Sequence, residues 1–83
     1  MNRNEQALTP SPQILDAVID SYVRWREKSA VVDSAYRSWT HAASAERAER
    51  FDDYLAALDR EEDAATAYKR RLEEAGSSVI VRP

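Results

Sequence analysis

The chain of 83 residues predicts an all-α fold, a single antiparallel hairpin of two long helices, on three observations. It holds one glycine and three prolines, too little turn material for a domain of many short elements. Its 43% hydrophobic and 33% charged residues are the balance of a globular chain and not of a disordered one. Two uninterrupted segments carry apolar residues at alternating spacings of three and four, which is the pattern of a helical seam.

The chain enters its first helix through "TPSPQ", Thr9 to Gln13, where each proline biases its predecessor toward extended geometry. Residues 1–10 therefore read as a flexible N-terminal segment. Ser11 reads as an N-cap with Pro12 in the first turn, where a missing N–H costs nothing. From about residue 12 to 43 the positions Leu15, Val18, Tyr22, Trp25, Val32, Tyr36, Trp39 and Ala43 follow one line, broken only by Ser29. Tyr-x-x-Trp occurs twice on that line, at Tyr22–Trp25 and Tyr36–Trp39, two heptads apart, so both pairs face the same way.

The second helix is expected over about 45–75. Ser44 is placed to cap it, Glu46 and Glu49 lie near the positive end of its dipole, and Lys69 to Arg71 lie toward the negative end. Gly76 stands where a left-handed residue would end it. Its seam is Phe51, Tyr54, Leu58, Glu61, Ala65, Tyr68, Leu72 and Ala75. The helical hairpin thus spans 11–76, and 77–83 form a tail whose Val79, Ile80 and Val81 either fray, fold back on the open end of the hairpin or await a partner.

Reversal near Ala45 pairs residues whose numbers sum to 90: Trp39 with Phe51, Tyr36 with Tyr54, Val32 with Leu58, Trp25 with Ala65, Tyr22 with Tyr68. The two polar interruptions, Ser29 and Glu61, meet in the same register. Such a layer is expected to set register and helix number at some expense in stability, so leucine at both positions would raise the melting temperature while loosening the oligomeric choice. The packing seam is therefore Tyr22, Trp25, Val32, Tyr36, Trp39, Phe51, Tyr54, Leu58, Tyr68 and Leu72, coiled-coil-like in its spacing.

A two-helix hairpin buries only one stripe per helix. Ile14, Ile19, Val23, Ala30, Val31 and Ala35 beside the first seam, and Leu55 beside the second, widen the apolar surface toward that of a four-helix bundle. Small residues at Ala57, Ala64 and Ala67 suit close helix approach between two copies. A homodimer, or a pair with another helical protein, is the expected partner.

Several chemistries are disfavoured. With no cysteine there is neither disulfide nor thiolate, and one histidine cannot make the common zinc sites, so no metal, cofactor or catalytic residue is assigned. The acidic run Asp59 to Asp63 reads as a solvated face with Glu61 alone turned inward, and His41 as a helix-end cap. A net charge of −3 argues against general phosphate-backbone binding, although Arg24, Arg26 and Lys28 approach Lys69 to Arg71 in the hairpin register. No stretch has the apolar length of a membrane span or a secretory leader, which makes a cytoplasmic location the expectation, with signal-independent export left open.

"WTH", Trp39 to His41, falls at the expected bend between two long helices. In that layout the chain resembles the WXG100 class of small hairpins exported by type VII systems, which carry Trp-x-Gly at the bend. His41 stands where that glycine would be, and Leu72 stands four residues after Tyr68 where that class has an acidic residue. The resemblance implies an exported hairpin that pairs with a related protein. The residues themselves imply a non-enzymatic helical protein–protein interaction or assembly module. A small regulator contacting nucleic acid is a further alternative.

Overall fold

A computed structural model describes residues 11–79, with side chains described through Ser77. Within these residues 94% are helical, there is no strand, and two long helices pack against each other. Helix α1 spans Pro12–Thr40, a single 3₁₀ turn spans Ser44–Glu46, and helix α2 spans Arg47–Val79. The N-terminal segment 1–10, together with Ile80 and Val81 of the tail, lies outside the described residues.

Helix α1 starts where its sequence dictates. Ser11 is extended, its Oγ accepts from the Ile14 N–H at 3.3 Å, and Pro12 occupies the first helical position. It ends at Thr40, three residues short of the expected boundary at 43. The reason is local competition for the Arg37 carbonyl. That oxygen accepts from the His41 N–H at 3.0 Å and from Thr40 Oγ1 at 3.1 Å, and His41 Nδ1 lies 2.9 Å away. Polar side chains thus complete the last turn, and the backbone leaves helical geometry at His41 without a glycine.

The second helix departs from expectation at both ends. Ser44 does not cap it: Ala43 takes the extended cap position with no side-chain hydrogen bond, and Ser44 begins the 3₁₀ turn. Gly76 does not stop it either, since α2 runs through Gly76 to Val79 and no residue among those described has a positive φ. Glycine in a helix costs only about 1 kcal/mol relative to alanine, and no proline follows until Pro83, so keeping the i→i−4 bonds wins over a left-handed stop. The tail thereby contributes its first residues to α2, and Lys69 to Arg71 sit above the last turn instead of within it.

The packing line is rotated relative to the expected seam. Among the described residues the buried side chains are Ala57 and Ala64, 2% and 6% exposed, which the sequence had suggested for contacts between copies. They lie inside the hairpin because each stands one heptad row beside Tyr54, Glu61 and Tyr68, on the side where their small size lets α1 approach closely. Trp25, Val32, Trp39, Tyr54, Leu58 and Tyr68 are half-buried, while Tyr22, Tyr36, Phe51 and Leu72 remain substantially exposed. Ala67 is exposed as well.

Two consequences are measurable. Ala64→Leu forces extra volume between the helices and is expected to lower stability by about 1–3 kcal/mol in urea unfolding. Gly76→Ala is expected to stabilise by up to about 1 kcal/mol, because the position is helical and a Cβ there meets nothing within 4 Å. Loss of stability in the alanine variant would show that the helix ends at Gly76 after all.

Candidate functional site

The two Tyr-x-x-Trp repeats of α1 build two nearly identical aromatic clusters with α2. In the first, Trp25 stacks on Tyr68, ring centroids 5.4 Å apart and planes 16° from parallel. Tyr22 closes it at 6.1 Å from Trp25 and 5.4 Å from Tyr68. In the second, Trp39 stacks on Tyr54 at 5.5 Å and 14°, and Tyr36 closes it at 5.9 Å and 5.6 Å. Phe51 adds a fourth ring near the bend, 4.9 Å from Trp39. Each offset pair adds about 0.5–1.5 kcal/mol beyond the area it buries.

Between the clusters lies the polar layer. Glu61 is half-buried, and its Oε2 accepts from Ser29 Oγ at 3.4 Å, so the structure brings these two interruptions together. The stronger bond comes from elsewhere: Trp25 Nε1 donates to the same oxygen at 2.6 Å. Sequence reasoning paired Trp25 with Ala65 and missed this donor. The available signal was helical spacing, since Trp25 lies one turn before Ser29 on the same side of α1 and an indole N–H reaches further than a methyl.

The remaining charged groups are dispersed. Asp59, Arg60, Glu62 and Asp63 are exposed, and no cluster of three potential ligands suited to a metal ion occurs among the described residues. The basic stretch of α1 is divided between the two sides of the hairpin. Arg24 and Lys28 border shallow grooves over Ala64 and Ala67 with Arg60, Arg71, Asp20 and Asp63, whereas Arg26 lies 6.0 Å over the Trp25 ring. The ion pairs Arg50–Asp53 and Arg71–Glu74, at 3.3 Å and 3.0 Å, are exposed one-turn pairs of small energetic weight. His41 is exposed at the end of α1, where its ring reaches the Arg37 carbonyl.

The most distinctive surface is apolar. Leu15, Tyr22, Ser29 and Tyr36 recur every seven residues on α1, as do Phe51, Leu58, Ala65 and Leu72 on α2. Because the helices are antiparallel, they wind in opposite senses when viewed from one end, which places both rows on the same side of the hairpin. Ile19 and Leu55 point outward on that side. Of the nine large hydrophobic residues that remain exposed among the described residues, seven fall here: Leu15, Ile19, Tyr22, Tyr36, Phe51, Leu55 and Leu72, at 37–58% exposure. Val23 and Val31 lie elsewhere on α1.

Compared with protein-family models, curated proteins and solved structures, the chain matches none. No described helix is long and apolar enough to cross a membrane.

The Trp25–Glu61 bond gives a direct test of the polar layer. Trp25→Phe and Glu61→Leu are each expected to destabilise by about 1–2 kcal/mol, since a hydrogen bond to a charged group is lost. The double variant should lose less than the sum, with a coupling near 1 kcal/mol in a double-mutant cycle. Strict additivity would sever the two residues energetically. The donor also revises the outcome expected for leucine at both Ser29 and Glu61, because that change removes the partner of the indole N–H.

Proposed function

We propose that the protein is a non-enzymatic helical interaction module that works through its apolar face, as a homodimer forming a four-helix bundle. One observation carries this: seven of the nine exposed large hydrophobics among the described residues share one side of the hairpin. Scattered apolar residues are ordinary on a protein surface, but a continuous face of them marks a contact with another macromolecule. The core supports the same conclusion. With two alanines as the buried residues among those described, the isolated hairpin has little to offset the entropy of ordering two long helices, and covering the face supplies what is missing.

In such a bundle Leu15, Tyr22, Ser29 and Tyr36 would line the interior with Phe51, Leu58, Ala65 and Leu72, and the aromatic clusters would become its inner walls. The Trp25–Glu61–Ser29 layer would sit within an otherwise apolar seam and discriminate against shifted pairings.

Sedimentation velocity at micromolar concentration is the test. The parent chain is expected to sediment as a dimer, and Ile19→Arg or Leu55→Arg to weaken association at least tenfold without loss of helix by circular dichroism. These side chains point outward and take no part in the aromatic clusters, so hairpin formation is spared. A parent that stays monomeric would remove the homodimer.

A further inference from the structure

We propose that the occupant of the apolar face is a second copy of the hairpin lying with its bend at the same end, so that α1 of each copy packs on α2 of the other. The proposal rests on the self-association just described and adds the arrangement of the copies. From Leu15 to Trp39 the face runs about 36 Å, and two helices side by side span about 20 Å, so two copies together would cover on the order of 1,400 Å². That falls in the range of stable, specific protein interfaces.

Two arrangements bring the face into full overlap with itself, one with bends together and one with bends at opposite ends. In the opposite-end arrangement each helix crosses its own copy about its midpoint, and a residue near the midpoint meets itself. Arg26 and Glu62 are such residues. Arg26 lies seven positions after Ile19 and Glu62 seven after Leu55, so both stand on the outward rows that flank the face, and both are exposed. Opposite ends would therefore press Arg26 against Arg26 and Glu62 against Glu62 while both lose water. Like charges brought together in this way are strongly unfavourable.

The same-end arrangement changes both contacts. It carries α1 onto α2 of the second copy in the register that already relates the two helices, in which residue numbers sum to 90 as for Tyr36 with Tyr54. Arg26 then falls within two residues, about 3 Å along the axis, of the second copy's Glu62, and the symmetry forms this pair twice. Asp33 and Lys69, on the same two outward rows, fall beside Leu55 or Ile19 of the copy in either arrangement and do not choose between them. Charge complementarity thus selects bends together. Arg26 lies 6.0 Å over the Trp25 ring, a cation–π contact that restrains its guanidinium beside the face.

The absence of native cysteine makes the test clean. Ser44→Cys places a spin label at the bend. Pulsed dipolar spectroscopy on the dimer is expected to give a distance below about 25 Å, against more than about 40 Å if the bends lie apart by the length of a helix. As a second measurement independent of labelling, Arg26→Glu is expected to weaken association about three- to tenfold, and adding Glu62→Arg to restore it to within about twofold. Only the same-end arrangement gives rescue, because with opposite ends the exchanged charges still meet their own kind. A stable dimer whose bend labels lie beyond 40 Å, or a double variant as weak as the single, overturns the arrangement and leaves self-association standing. A monomeric parent overturns both.

Discussion

The stacking of each α1 tryptophan on an α2 tyrosine, Trp25 on Tyr68 and Trp39 on Tyr54, is the constraint on which the rest of the molecule depends. The helices are otherwise joined through a thin contact whose buried residues, among those described, are Ala57 and Ala64. Alanines permit close approach but are indifferent to sliding, since a methyl group meets much the same surface one turn further along. Large planar rings are not indifferent. Shifting α1 by a turn would unstack both pairs at once, so two equivalent clusters two heptads apart lock register more firmly than either alone. The alanines set how near the helices come, and the rings set where along each other they lie.

The polar layer depends on that register and reinforces it. Trp25 donates to Glu61 while its ring face rests on Tyr68, so one side chain serves the apolar and the polar parts of the contact together. A carboxylate among apolar neighbours is costly unless bonded, and here it accepts from an indole and a hydroxyl, with Ser29 as the weaker partner at 3.4 Å. Such a layer contributes discrimination against alternatives more than it contributes stability. The link from packing to the proposed function runs through this point, because the residues that align α1 with α2 also decide which outward rows are left on the surface.

Closing the hairpin leaves Tyr22, Tyr36, Phe51 and Leu72 facing outward beside Leu15, Ile19 and Leu55. The helices roll toward the alanine side, where the backbones can approach, and the bulkier rows are left on the opposite side. The more closely the hairpin packs on Ala57 and Ala64, the more apolar surface it leaves on the other side. A tight contact on one side of the hairpin and an uncovered apolar face on the other are two results of the same asymmetry in side-chain size.

Much of this was legible in the sequence. The absence of glycine and proline between Gln13 and Gly76, the three–four spacing and the Ser11–Pro12 cap determine two helices, and the matching of Tyr22, Ser29 and Tyr36 with Tyr68, Glu61 and Tyr54 determines their antiparallel register. These are local or periodic properties, and periodicity survives without coordinates. The roll of one helix about its axis does not. A shift of one heptad row turns Ala57 and Ala64 from a surface for a second copy into the core and moves Tyr22 and Tyr36 to the exterior, while leaving the spacing pattern unchanged. The Trp25–Glu61 bond and the passage of α2 through Gly76 were hidden for a related reason. Each depends on a competition between nearly equal alternatives, an indole or a hydroxyl for one carboxylate oxygen, a helical or a left-handed conformation for one glycine, and only the packed chain decides between them.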